Sequence, residues 1–239
     1  MKSLTFSASS PGLLANRYVR TILLSNVLLQ LGIWVRNFAI LLYVSDVTNR
    51  DPYYISLISI VEFAPIFVFS IIGGTFADRW RPKRTMVWCD ILSAVSVFVV
   101  LLTIMFGSWQ AVFLATFVSA VLSQFSQPSG MKLFKRHVEP EKFQSVMAAF
   151  QTLMAIFMVL GPVLGTYVYE QWGIKVSIAV MGVMFLASAA VLASLPPDVK
   201  EKSEHQGDFL RELAAGLRYV TKSRVLISLG GSFAAAGLA

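Results

Sequence analysis

The sequence predicts an all-α membrane protein with six membrane-spanning helices and a truncated seventh. Of its 239 residues, 56% are hydrophobic and only 14% are charged, whereas a soluble domain carries about 25% charged residues. A bilayer core of about 30 Å needs roughly 20 consecutive apolar residues per helix. Six runs meet this length, near residues 21–44, 54–77, 86–106, 110–130, 145–169 and 174–195. A seventh run begins near Val225 and is followed only as far as Ala239.

The basic residues predict the orientation of these helices. If the N-terminus is cytoplasmic, 17 of the 20 Lys and Arg residues fall in cytoplasmic segments, whereas the outer loops keep only Arg50 and Lys175 and the first helix keeps Arg36. This distribution follows the positive-inside rule. The net charge of +7 is therefore a topology signal, and no nucleic-acid partner is expected. We expect a multi-pass protein of the bacterial plasma membrane with a cytoplasmic N-terminus.

The chain divides into three predicted segments. Residues 1–195 form the six-helix bundle, residues 196–224 form a cytoplasmic linker with an amphipathic helix, and residues 225–239 begin the seventh helix. Because three crossings invert the chain, helices 1–3 and 4–6 run in opposite senses, which is the arrangement of an inverted 3+3 repeat in secondary transporters.

A charged turn separates the second and third apolar runs. Residues 73–84 read Gly-Gly-Thr-Phe-Ala-Asp-Arg-Trp-Arg-Pro-Lys-Arg. Asp78 closes helix two, where a carboxylate can accept hydrogen bonds from the start of a neighbouring helix, and Arg79 could pair with Asp90. The adjacent glycines allow two helices to approach closely. Such a contact could be a conformational latch between two transporter states, or a static topology anchor.

This turn resembles the loop between helices two and three of the major facilitator superfamily. The pattern is a glycine, three residues, Asp, Arg and a basic cluster, here Gly74, Asp78, Arg79, Arg81, Lys83 and Arg84. The macrolide-efflux and siderophore-exporter-like branch is the closer match, because Asp90 follows Asp78 by twelve positions, and residues 34–37, 127–129 and 161–165 extend the resemblance. Pro82 departs from it, standing where the family usually has Arg.

The resemblance implies the N-terminal half of a twelve-helix fold. A missing C-terminal half, or a second copy of the chain, is then an expected partner, and the loop is expected to act as the latch. Gly161 and Gly165 lie on one helix face and would form a close-contact groove, with Pro162 kinking the helix. Through the resemblance this segment is similar to the Gly-Pro signature of antiporters, which favours export, although simple helix packing is the alternative.

Two ionisable residues lie deep in the predicted membrane helices. Arg36 and Glu62 are each about eight residues, or roughly 12 Å, from the outer end of their helices. We hypothesise that Glu62 exchanges a proton during transport and that Arg36 tunes this exchange. A fixed ion pair, or an Arg36 side chain extended toward the helix end, are the alternatives. Gln30, Asn37 and Gln124 are candidates for lining a cavity, or for hydrogen bonds between helices.

The function predicted from these features is secondary active transport. His137 and His205 have no ligand-spaced partners, and neither a phosphate-binding glycine loop nor a nucleophile–base pattern occurs, so no metal, cofactor or enzymatic activity is expected. We predict efflux of a small amphipathic compound driven by inward proton flow, with the substrate, protons and membrane lipid as partners. An uptake or facilitative transporter without proton coupling, and a non-transporting half-bundle, remain as alternatives.

Overall fold

The computed structural model describes residues 16–197, except for the side chains of residues 67, 70–71, 74–75 and 77–79. The predicted linker helix and the predicted seventh helix lie outside the described residues. Within them the chain forms five helices and no strand, which confirms the all-α prediction. The helices are α1 (Arg17–Val47), α2 (Pro52–Arg79), α3 (Pro82–Met105), α4 (Ala111–His137) and α5 (Pro140–Ala193).

Local sequence signals account for where the helices begin. The side-chain oxygen of Asn16 accepts a hydrogen bond from the amide of Tyr18 at 2.9 Å and caps α1, and Asp51 caps α2 in the same way. Such side chains satisfy amides that the first helical turn leaves unpaired. Proline takes the first position of α2, α3 and α5, where its missing N–H costs nothing. Helix α3 therefore begins at Pro82, four residues before its predicted start.

Four helices of the described part are long and apolar enough to cross a membrane: α1, α3, α4 and α5. The described side chains of α2 give a shorter apolar stretch, Pro52–Ile66. Helix α4 continues past its predicted end at residue 130 to His137 and carries Lys135 and Arg136 in its last turn. Cations are favourable there because they oppose the negative end of the helix dipole.

Helix α5 has a break at Gly173. The element has 54 residues and would be about 80 Å long if straight, far more than a bilayer core. Gly173 has φ 73° and ψ −175°, backbone angles that are essentially restricted to glycine. It divides α5 into arms over residues 140–172 and 174–193. The sequence predicted two helices there, at 145–169 and 174–195, and a single glycine connects the arms in place of a separate loop.

Helix α1 packs against both arms of α5. Trp34 and Phe38 contact the first arm, whereas Gly32 lies against Met184 of the second arm. Helix α3 packs on α4 and on the second arm of α5, and α2 packs on α4. The two arms and α1 therefore form the centre of the bundle, and α2 is attached to it mainly through α4.

The helix ends gather in two groups. In one group Asn16 donates to the carbonyl of His137 at 2.8 Å, Tyr18 stacks on His137, and Arg17 donates to the carbonyl of Ser194. In the other group the hydroxyl of Tyr169 donates to Asp46 at 2.8 Å, and Tyr54 packs edge-on against Trp109. The described segments that were predicted to be cytoplasmic thus lie together at one end of the bundle.

Candidate functional site

A charge pair joins α1 and α2. The Arg36 side chain is only 5% exposed and that of Glu62 is 27% exposed, and Arg36 Nη2 lies 3.9 Å from Oε1 of Glu62. Asn37 bridges the pair: its Nδ2 donates to Glu62 Oε1 at 2.7 Å, and its Oδ1 accepts from Arg36 Nε at 2.9 Å. The guanidinium therefore lies inside the bundle. Because an isolated charge in the membrane is costly, this amide-bridged arrangement is what stabilises both groups at this depth.

The pair lines a cavity of about 240 Å³ that is partly open to the surface at Phe63 and Ile66. Gln30, Asp90 and Gln124 line the same cavity, so it contains two carboxylates and one guanidinium. Three buried polar atoms of its lining, Asn26 Oδ1, Arg36 Nη1 and Ser119 Oγ, have no hydrogen-bond partner among the described residues. Buried polar groups are normally paired, so these atoms leave the cavity with capacity to bind water or a polar ligand group.

Asp90 of α3 is held by hydroxyl groups from two other helices. Its side chain is 3% exposed. Ser188 of α5 donates to Asp90 Oδ2 at 2.6 Å, and Ser25 Oγ of α1 lies 2.7 Å from Ser188 Oγ. The sequence assigned Asp90 to the charged turn as a possible partner of Arg79. The structure places it about 12 Å into α3 from that turn, in a chain of hydrogen bonds that joins α1, α3 and α5.

A second, more apolar cavity of about 340 Å³ adjoins the first. Met86, Met131, Phe134 and Phe150 line it, and Met154 and Gln124 line both cavities. Gln30 Nε2 lies 2.7 Å from the Met154 sulfur. Methionine and phenylalanine side chains adapt to irregular apolar ligands. The two cavities thus place an apolar lining beside a charged one.

Three of the glycines predicted to allow close helix contact, Gly73, Gly161 and Gly165, are located at helix crossings. A Cβ at Gly161 would lie 2.3 Å from the Trp34 ring, and one at Gly165 would lie 2.7 Å from the Trp34 carbonyl oxygen. A Cβ at Gly73 would meet the Gln124 carbonyl oxygen at 2.1 Å. Pro162 lies within the first arm of α5, and the backbone of α5 leaves helical angles at Gly173, not at Pro162.

The basic residues of the charged turn have different environments. Lys83 Nζ donates to the carbonyl of Ala193 at 2.9 Å and also to that of Leu195, so it caps the end of α5. Arg81 is the residue preceding α3, and Arg84 is exposed on the first turn of that helix. The side chains of Gly74, Asp78 and Arg79 lie outside the described part of the structure.

Several polar residues of the site were not predicted from the sequence, among them Ser25, Asn26, Ser119 and Ser188. A small polar residue in an apolar helix is a weak signal, because serine readily bonds to the carbonyl of its own preceding turn. Ser129 does so, donating to the carbonyl of Phe125 at 2.8 Å. Whether a serine bonds within its own helix or joins two helices depends on how α1, α3 and α5 pack, which the sequence does not show.

A bundle of apolar helices with a charge-lined cavity between them has the form of a membrane transporter. The family model for the Major Facilitator Superfamily matches residues 22–239, and the chain therefore belongs to that family. Its members are transporters and not enzymes, they bind small-molecule substrates, and they lie in membranes. This confirms the resemblance stated from the charged turn and the prediction of an integral membrane protein without enzymatic activity.

The chain is similar to bacterial transporters along most of its length. The "Uncharacterized MFS-type transporter YkuC" of Bacillus subtilis (strain 168) is 27% identical over 84% of this chain and 49% of its own length. "Macrolide efflux protein A" of Streptococcus pyogenes is 21% identical over 82% of this chain and 49% of its own length. The protein of the same name from Enterococcus faecalis is 21% identical over 72% and 54%. The chain spans about half the length of the curated relatives it matches.

Proposed function

We propose that the chain is the N-terminal half of a secondary active transporter that exports small amphipathic compounds in exchange for protons. The observation that carries this proposal is the pair of adjoining cavities. An amphipathic compound needs an apolar surface beside a polar or charged group, and the two cavities, which share lining residues, offer both side by side. The names of the macrolide efflux relatives support the export direction.

The proposed membrane arrangement has six spans. We count α1 to α4 and the two arms of α5 as spans, with the end that holds Asn16, His137 and Ser194 in the cytoplasm. The arms of α5 supply the fifth and sixth crossings because Gly173 separates them. The basic residues near this end support the orientation, and six spans divide into two groups of three, as an inverted repeat requires.

The proton-exchanging group in this proposal is Glu62. It lines the cavity, and the hydrogen bond that it accepts from Asn37, together with its ion pair with Arg36, connects its charge to the position of α1. Gain of a proton would weaken the attraction to Arg36 and release that guanidinium for other contacts. Asp90 lines the same cavity nearer the cytoplasmic end, where it accepts a hydrogen bond from Ser188. In this proposal it is a second acidic group on the route between the two ends.

The charged turn and the Gly161–Gly165 groove have supporting roles in this proposal. Residues 74–84, with Asp78 and Arg79, would form a latch that stabilises one transporter state, and Lys83 ties the start of α3 to the end of α5. The groove keeps α1 close to the first arm of α5. A rearrangement at the Arg36–Glu62 pair would then reach the cytoplasmic end through α1 and α5.

The test is transport in vesicles that contain the protein, with the reading frame followed beyond Ala239 where it is open. An imposed pH gradient should drive accumulation of an amphipathic compound, with a macrolide among those tried, and addition of substrate should move protons. Glu62→Gln should reduce proton-driven accumulation on the order of 100-fold, the usual size of a lost proton-transfer group. Thr152→Ala, an exposed residue that bonds within its own helix, is the control.

Each alternative has its own outcome in this assay. Transport down a gradient without proton movement identifies a facilitative or uptake transporter. Absence of transport for every compound, with folded protein in the vesicles, identifies a non-transporting half-bundle. Full proton-driven transport in Glu62→Gln removes Glu62 from the coupling mechanism.

A further inference from the structure

A surface groove lies where α2 ends and α3 begins, and it shares two lining residues, Cys89 and Leu122, with the charged cavity. It has a volume of about 630 Å³ and is bounded by α3, α4 and both residues of the α2–α3 turn. Arg81 and Arg84 lie at its cytoplasmic rim, and Trp80, Trp88, Leu92, Leu122 and Phe125 form its walls. Its charged and apolar parts are therefore separated along the helix axis.

The two arginines have no counter-charge within the described part of the molecule. No described hydrogen bond or ion pair engages either guanidinium, and the described residues that line the groove include no acid. The groove also lies at the N-terminal turn of α3, where unpaired backbone amides and the helix dipole add positive potential. An anion at this rim would meet two guanidinium groups, which bind phosphate through paired hydrogen bonds.

The walls below the rim have the dimensions of the upper part of a phospholipid. Trp88 lies four residues from Arg84, or about 6 Å deeper, and Leu92 lies about 12 Å deeper. Trp88 is 61% exposed and Leu92 49% exposed, and the exposed stripe continues along α3 through Val95, Val99 and Leu102. Tryptophan is typical of the depth at which lipid headgroups give way to acyl chains.

Trp80 is held in place by its aromatic neighbours. Its ring centroid is 4.7 Å from that of Phe76, and Phe76 packs against Phe125 at 5.8 Å. The groove wall is therefore preformed, which lowers the entropy lost when a ligand binds.

The geometry points to a binding site for an anionic phospholipid of the cytoplasmic leaflet, with its phosphate between Arg81 and Arg84 and one acyl chain along Trp88 and Leu92. Charge complementarity favours this occupant over a protein surface, since a protein would need an acidic group at headgroup depth to match both arginines. The arginines and tryptophans of the groove do not line the transport cavities, and the site does not depend on the proposed transport activity.

Tryptophan quenching by brominated lipids tests the proposal on the intact chain. The protein is placed in bilayers of phosphatidylcholine in which a fixed fraction is replaced by brominated phosphatidylglycerol or, separately, by brominated phosphatidylcholine. Bromine quenches tryptophan on close contact, so a bound anionic lipid should quench more strongly than phosphatidylcholine at the same mole fraction. In Trp88→Phe this excess quenching should largely disappear, which locates it at the groove.

The arginine variants identify the headgroup contact. Each of Arg81→Gln and Arg84→Gln should lower the preference for phosphatidylglycerol roughly fivefold, as for loss of one basic residue near an anionic surface, and the double variant should abolish it. Lys135→Gln removes one exposed charge from the same end of the bundle but outside the groove, and should keep the preference. Circular dichroism of each variant checks that the helices are intact.

Three results would overturn the proposal. Equal quenching by the two brominated lipids would show that the groove does not select an anionic headgroup. An unchanged preference in the folded double variant would place the selectivity elsewhere. Failure of either lipid to quench Trp88 would show that protein covers the groove, whether residues 198–239, a second copy or another chain.

Discussion

Asn37 is the side chain on which the charge pair depends. It donates to the carboxylate of Glu62 and accepts from the guanidinium of Arg36, so a neutral amide satisfies both charges at once. Arg36 and Glu62 are themselves 3.9 Å apart, beyond hydrogen-bond distance. Without the amide, both charged groups would remain in the bundle with weaker compensation.

Replacing Asn37 should therefore destabilise the protein more than replacing Gln30, an amide residue that lines the cavity beside the pair. Asn37→Ala should lower the free energy of unfolding by about 1–3 kcal/mol, the usual cost of leaving a buried polar group unpaired. Gln30→Ala is the matched variant, because its described contact is with a methionine sulfur, a weak acceptor. Unfolding in mixed micelles measures both, and equal losses would contradict this role of Asn37.

Ser188 occupies the middle of the hydrogen-bond chain between Asp90 and Ser25. Ser188→Ala removes the donor to Asp90 and the partner of Ser25, whereas Ser25→Ala removes only the end of the chain. We expect Ser188→Ala to cost about 1–3 kcal/mol and Ser25→Ala about 0.5–1.5 kcal/mol. In a double-mutant cycle, Ser188→Ala and Asp90→Asn should be non-additive, and additive losses would show that the two side chains are not coupled.

The Gly161 and Gly165 positions control how closely α1 approaches the first arm of α5. An added Cβ at Gly161 meets the Trp34 ring, a side chain, whereas one at Gly165 meets the Trp34 carbonyl oxygen, which belongs to the backbone. A ring can be replaced by a smaller group, but a carbonyl can move only with its helix. We therefore expect alanine variants at the two glycines to differ in how far a smaller side chain at Trp34 restores their stability.

Gly161→Ala and Gly165→Ala should each lower the free energy of unfolding by about 1–3 kcal/mol, because overpacking separates the helices. Adding Trp34→Leu should restore much of the loss in Gly161→Ala but little of it in Gly165→Ala. Gly130→Ala is the control, since its Cβ would lie 3.4 Å from the end of the Met86 side chain. Equal rescue of both variants, or of neither, would contradict the observed crossing.

The helices themselves were largely predictable from the sequence, but their ends were predicted less well. Long apolar runs gave the location of α1 to α4, because a membrane helix must satisfy its backbone within a single segment. The start of α3 at Pro82 and the extension of α4 to His137 were missed because both regions are polar and lie beyond the apolar runs. The direct connection of the two arms of α5 through Gly173 alone depends on one backbone conformation that composition does not indicate.

For the candidate site, the sequence could suggest which residues share a depth but not which residues face each other. Counting from the short α1–α2 connection predicts that Arg36 and Glu62 are near neighbours, and the structure places them so. The bridging role of Asn37 and the contact of Asp90 with Ser188 depend on the rotation of each helix about its axis. That rotation is set by packing, for example by the contact of Gly182 with Phe98.

At the level of the whole molecule, the two groups of helix ends predict which loops share a compartment. Ser108 lies in the α3–α4 connection, near the end that holds Asp46 and Tyr169, and Glu139 lies in the α4–α5 connection at the end that holds Asn16.

Cysteine labelling tests this arrangement of the loops. Ser108 and Glu139 are exposed, whereas Cys89, the single cysteine of the chain, is buried. In a Cys89→Ser background, a membrane-impermeant maleimide added to intact cells should label Ser108→Cys, whereas Glu139→Cys should react only after the membrane is opened. A reporter placed after Arg50 should agree with Ser108→Cys, and one placed after His137 should agree with Glu139→Cys. If both cysteines react from the same side, the helices do not cross in alternating directions, and the proposed transport route between the two ends would have to be abandoned.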